Sequence, residues 1–126
     1  MSIQLTNSNN KKFDLEDRTA KFGEMAIDFV SKLPQSAINK PLISQFVRSS
    51  TSIGANYMEA NGADSKKDFH HKISLCKKES KESMHWSRMI LIANPNLEDR
   101  CKILWQEARE LALIFGAINK KKNLEN

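Results

Sequence analysis

Five polar residues, Arg48, Asn56, Glu59, Glu79 and Glu82, carry the first candidate chemistry of this 126-residue chain. Glu79 and Glu82 stand three residues apart, which on a helix puts two carboxylates on one flank, together with Lys72, Leu75 and Trp86. Carboxylates so placed repel unless a cation sits beside them. Arg48 is the expected partner, because a guanidinium fork can take a carboxylate in two parallel hydrogen bonds. The cluster can be read as a recognition or catalytic centre, or as an ion-pair network that fixes helix register or a subunit interface. The second reading is preferred.

Other reactive patterns are poor. Glu82-Ser83-Met84-His85 is a Glu-x-x-His, but di-iron bundles use that motif twice with further glutamates, whereas here it occurs once and His85 falls opposite the apolar seam. His71 and Cys76, five apart, do not converge on a helix. No Gly-x-Ser-x-Gly, P-loop, dinucleotide fingerprint or His-Glu-x-x-His occurs. The run Arg48-Ser49-Ser50-Thr51-Ser52 reads as helix packing. No catalytic residue, metal site or cofactor is therefore expected.

A third pattern is electrostatic. Lys67, His71, Ser74, Lys78, Lys81, His85 and Arg88 share one helical face that contains no acid. At 1.5 Å per residue this stripe is about 30 Å long, with four permanent charges and two histidines. Such a face can track phosphates. It holds no aromatic of its own, so base stacking and sequence reading are not expected of it. A merely solvated basic face is the plainer alternative.

These residues need helices to position them, and the apolar spacing supplies four. Phe22, Ala26, Phe29 and Leu33 step by four, three and four, from an N-cap at Asp14 to a stop before Pro34. Leu42, Phe46, Ser49, Ile53, Asn56 and Ala60 continue the spacing, with Asn39 as expected N-cap and Gly62 as a left-handed terminator. The third seam is Phe69, Ile73, Cys76, Ser80, Ser83, Ser87 and Ile90, opened by Ser65 and closed by Asn94-Pro95. The fourth is Leu97, Cys101, Leu104, Ala108, Leu111, Phe115 and Ile118. Short loops between long helices predict an all-α, antiparallel up-down-up-down four-helix bundle over residues 14–120. A flexible arm is expected at 1–13 and a basic flexible tail at 121–126. Second apolar stripes (Ile43, Val47, Tyr57; Met84, Leu91; Trp105, Ala112) exceed what so small a bundle can bury, so a homo-oligomer is expected.

Composition agrees. A hydrophobic fraction of 40% and a charged fraction of 28% are those of a globular domain. No apolar run is long enough to cross a bilayer and no secretory signal opens the chain. Cys76 and Cys101 read as buried thiols of a reducing compartment, so the cytoplasm is the expected location. The net charge of +5 is unevenly spread: residues 14–33 hold five acids against three bases, and residues 64–93 seven bases against four acids.

The stretch from Phe46 to Ala60, with Ser65-Lys66-Lys67-Asp68-Phe69, Lys72-Ile73-Ser74 and the run from Lys78 to Trp86, resembles a bacterial family. Its members are four-helix bundle proteins related to those encoded in intervening sequences of 23S ribosomal RNA genes. The likeness covers roughly residues 15–120. It implies an antiparallel bundle associated into a ring-like homo-oligomer, commonly a pentamer, and it matches Arg48, Asn56, Glu59, Glu79 and Glu82 to characteristic polar positions. The accessory protein of diversity-generating retroelements, which works with a reverse transcriptase and nucleic acid, is similar. His85 stands where tyrosine is frequent and Ser87 where leucine is frequent, departures that bear on packing of the third helix. The expected function is thus a non-enzymatic, homo-oligomeric RNA- or DNA-binding or scaffold protein acting through Lys67, His71, Lys78, Lys81, His85 and Arg88. The alternative is a protein–protein adaptor without nucleic-acid binding.

Overall fold

The computed structural model describes residues 14–125, with side chains through Lys121, so the arm expected at residues 1–13 lies outside it. The helices are α1 (Leu15–Val30), α2 (Asn39–Asn61), α3 (Lys66–Ala93) and α4 (Glu98–Glu125), with a 3-10 turn over Pro95–Leu97 before the last. Among the described residues there is no strand. None of the helices is long and apolar enough to cross a membrane.

Helix starts have local causes. The Asp14 carboxylate accepts the Asp17 N–H at 3.1 Å, and Glu16 and Asp17 place negative charge at the positive end of the α1 dipole. The Ser65 hydroxyl accepts the Asp68 N–H at 3.0 Å and opens α3. At α2 the expectation fails: Asn39 is the first helical residue and caps nothing. Ser36 takes that place, its hydroxyl accepting the Asn39 N–H at 3.0 Å. The Asn39 side chain instead turns inward. The Gly62 expectation fails as well. Its φ is −99°, and its N–H bonds back to the carbonyls of Glu59 and Met58, so a right-handed turn closes α2 without using glycine's freedom. At the other end of the chain α4 continues through Glu125, past residue 121 where a tail was expected to begin.

The core follows the seams. Phe22, Ala26, Phe29, Phe46, Ile53, Ile73, Cys76, Ile90, Leu104, Ala108, Leu111 and Phe115 are all buried. Ser49, Ser80, Ser83 and Ser87 are buried with them, and their small volume lets α2 and α3 approach closely. The Ser49 and Ser83 hydroxyls bond across that contact at 2.9 Å, while Ser80 donates to the Cys76 carbonyl at 2.8 Å, so none is left unsatisfied. The second stripes are used internally: Ile43, Val47, Tyr57, Met84 and Leu91 pack half-buried against this core.

Contacts fix the directions of the helices. Along α2 from Asn39 through Ser49 to Glu59, the partners on α3 descend from Asn94 through Ser83 to Lys72. Thr19 lies against Gly54 and Gly23 against Thr51, so α1 runs antiparallel to α2. His70 bonds Asn119 while Ser87 and Cys101 share a groove, so α3 runs antiparallel to α4. Arg18 of α1 reaches Glu107 of α4, and Arg100 of α4 reaches Asp28 of α1, so these two helices are antiparallel as well. In this arrangement α1 and α3 stand diagonally, and the outer side of α3 is turned away from α1.

Candidate nucleic-acid interface

The polar cluster divides in two. One guanidinium nitrogen of Arg48 lies 3.2 Å from both oxygens of Glu79, and the other donates to Glu82. These contacts lie within one subunit. Glu79 is nearly buried, with 10% side-chain exposure, whereas Arg48 keeps 47%. The hydrogen bond to Glu79, only partly offset by desolvation, raises the guanidinium pKa above its ordinary value. Glu59 and Asn56 do not join them. Glu59 pairs with Lys72 at 2.7 Å, and the Asn56 amide donates to the Ser52 carbonyl of its own helix at 2.9 Å. The separation follows from helical spacing: Glu59 lies three turns beyond Arg48, too far for one guanidinium to reach both.

Little here can act as a nucleophile. Burial pushes the Cys76 thiol up to about 12 and the Cys101 thiol up to about 11, so both stay protonated near neutrality. Ser74, Asn119 and His70 come together, but in the wrong order for acyl transfer. Asn119 donates to the Ser74 hydroxyl at 2.7 Å, Ser74 donates to the His70 carbonyl at 3.1 Å, and the His70 ring bonds the Asn119 oxygen at 2.9 Å. No imidazole nitrogen reaches the hydroxyl proton, so the trio fastens the start of α3 to the end of α4. Among the described residues no group of three or more His, Cys, Asp and Glu could hold a metal ion.

The outer face of α3 is different. Lys67, His71, Lys78, Lys81, His85 and Arg88 are all exposed. Arg18, Lys21, Lys32, Arg48, Lys72, Arg100 and Lys102 each make an ion pair, whereas among the described residues Lys40, Lys66, Lys77, Arg109, Lys120 and Lys121 do not. Among the described residues none of Lys67, Lys78, Lys81 and Arg88 makes one either. Lys77 widens the face toward α4, where its side chain lies beside Gly116.

Neighbours that the stripe pattern alone does not reveal also border this face. Trp86, on the Glu82 flank, lines a shallow groove with Lys77, Lys78, Lys81 and His85, and its ring meets His85 edge to face with centroids 4.8 Å apart. Trp105 of α4 lines a second groove together with Arg88. The signal for Trp86 was its place four residues beyond Glu82, whereas Trp105 required the α3–α4 register.

Helix order, antiparallel contacts and surface together define a small all-helical bundle with a basic outer face on its third helix. A profile of the family described as 23S rRNA-intervening sequence protein matches residues 11–117, and the chain belongs to that family. A crystal structure of a protein of unknown function from the S23 ribosomal protein family, from Bacteroides thetaiotaomicron, is similar in fold. Its TM-score is 0.74 at 24% identity, over 84% of this chain and 98% of that one. No curated protein matches the chain.

Proposed function

We propose that the protein is a non-enzymatic, self-associating cytoplasmic bundle that binds nucleic acid through the outer face of α3. The observation that carries this is one acid-free helix face on which Lys67, Lys78, Lys81 and Arg88 all lie exposed and, among the described residues, without an ion pair. Cations without partners on a convex face satisfy phosphates at the least cost, since no ion pair must first be broken. The family's name ties its members to 23S rRNA intervening sequences, in keeping with an RNA partner. Copies of the bundle would each present one such face, so modest affinity per face would multiply through avidity. The test is anisotropy of a labelled random-sequence RNA titrated with protein at low salt. Saturable binding supports the reading.

A second reading is a protein–protein adaptor, favoured by the large apolar residues left in solvent, Met25, Ile27, Ile38, Met58, Ile92, Ile103 and Leu113. Absence of RNA and DNA binding at low salt would put that reading first.

A further inference from the structure

We infer that the α3 face takes single-stranded nucleic acid, with unpaired bases laid against Trp86 and Trp105 while the lysines hold the phosphates. The inference rests on the nucleic-acid reading above and goes further by choosing the form of the polymer. The chain has two tryptophans, and both line grooves that cations of the α3 face also line. Trp86 shares one with Lys78, Lys81 and His85, and Trp105 the other with Arg88. Trp86 stands on one flank of the stripe and Trp105 on the helix packed against the other, so the charged track runs between two indoles. Bases stack on aromatic rings whatever their identity, and a flexible strand can turn them toward the protein while its phosphates follow the cations. A duplex cannot, because its bases are already paired and stacked within it.

Trp86 carries a second mark. Its indole Nε1 is buried and has no hydrogen-bond partner among the described residues. Phenylalanine or leucine would fill the same flank without stranding a donor, which runs against the ordinary rule for buried polar groups. What the indole adds over those residues is ring surface, and the groove beside Lys78 and Lys81 is where that surface is open. The ring packs partly against the core, and the face it leaves open to the groove is the one a base would meet.

Charge alone makes the opposite prediction. Duplex carries roughly twice the linear charge density of one of its strands, so a purely phosphate-tracking face should bind duplex at least as well. The experiment compares a 12-nucleotide single-stranded RNA with the duplex formed from it and its complement, by anisotropy and by tryptophan fluorescence of the same full-length protein. The expected result is tighter binding of the single strand, quenching of tryptophan emission on binding, and about fivefold or greater loss of single-strand affinity in Trp86→Leu. Duplex affinity should be unchanged in that variant. Trp105→Phe leaves Trp86 as the sole emitter and assigns the quenching. If Trp86→Leu does not fold by circular dichroism, quenching in Trp105→Phe decides. Duplex binding equal to or tighter than single-strand binding, or single-strand binding without quenching, overturns the inference while the phosphate-binding reading survives. Failure of both nucleic acids to bind overturns both.

Discussion

Arg48 on α2 bridges two carboxylates of α3, holding both oxygens of Glu79 from one guanidinium nitrogen and Glu82 from the other. The two acids are not equivalent. Glu79 is nearly buried and depends on this cation, whereas Glu82, with 34% side-chain exposure, also has water. Arg48→Ala should therefore destabilise by about 1–2 kcal/mol, mostly by stranding Glu79, below the cost for a fully buried pair because Arg48 itself is half in solvent. Glu82→Ala should cost no more than about 0.5 kcal/mol. Urea denaturation of both variants measures the difference, and equal values would remove Glu79 burial as the cause.

Asn39 and Asn94 form a buried cross-helix pair, each donating its amide to the other's oxygen at 3.1 and 2.9 Å. The Asn39 amide also donates to the Pro34 carbonyl, and that of Asn94 to the Ile90 carbonyl. The pair thus ties the α1–α2 connection to the end of α3. Asn94→Ala should cost about 1–3 kcal/mol by leaving the buried Asn39 Oδ1 without a donor. The double alanine variant should cost less than the sum of the two single changes, which a double-mutant cycle checks.

The thiols give a pH dependence whose sign is fixed by burial. Both are raised in the folded protein, Cys76 to about 12 and Cys101 to about 11, against roughly 8.5 for a free cysteine. The folded state thus holds protons that the unfolded chain releases. That stability is complete below about pH 8.5 and is lost as pH climbs toward the folded values. Denaturation midpoints should fall between pH 8 and 10 in the wild type and fall less in Cys76→Ala/Cys101→Ala. At pH 8 both thiols should react slowly with an aromatic disulfide until urea is added.

Four exposed apolar residues border α1, while Ile92 lies exposed near the end of α3. Met25 and Ile103 border the α1–α4 groove, and Ile27 and Met58 the α1–α2 groove. Self-association through these surfaces would leave the outer face of α3, diagonal to α1, free for a ligand. Light scattering should give a multiple of 14.4 kDa, reduced in Met25→Glu/Ile103→Glu. A wild-type mass of one subunit at micromolar concentration would remove the proposal of self-association.

The seams were legible in sequence because heptad spacing determines burial with no knowledge of neighbours: Phe22, Phe46, Ile73 and Leu111 sit in the core where the spacing puts them. What was not legible depended on the register between helices. Asn39 looked like a cap because the residue type suits one, but Asn94 at the far end of α3 offered a better partner. Arg18 reads as an ordinary surface cation until α4 brings Glu107 within 2.7 Å. Second apolar stripes pointed to surplus surface, yet Ile43, Val47 and Met84 found cover within the bundle while Met25 and Ile103 remained outside. Trp105 beside Arg88 is a product of the same register.

If Lys67, Lys78, Lys81 and Arg88 neutralise phosphates, binding must release condensed counterions, and log K should fall linearly with log salt by about 0.7 for each phosphate held on a single strand. Four contacts would give a slope near −3. Lys78→Glu/Lys81→Glu should weaken binding and flatten the slope by about 1.4, the share of two contacts. Thermal stability should stay nearly constant, because both side chains are exposed and unpaired in the bundle, so no packing or ion pair is lost. Arg48→Ala supplies the converse control, since that cation is committed to Glu79 and Glu82: it should lower stability and leave the salt slope unchanged. Titrations at several salt concentrations for the three proteins separate these outcomes. A slope unaltered by the double reversal would place the phosphates on another face.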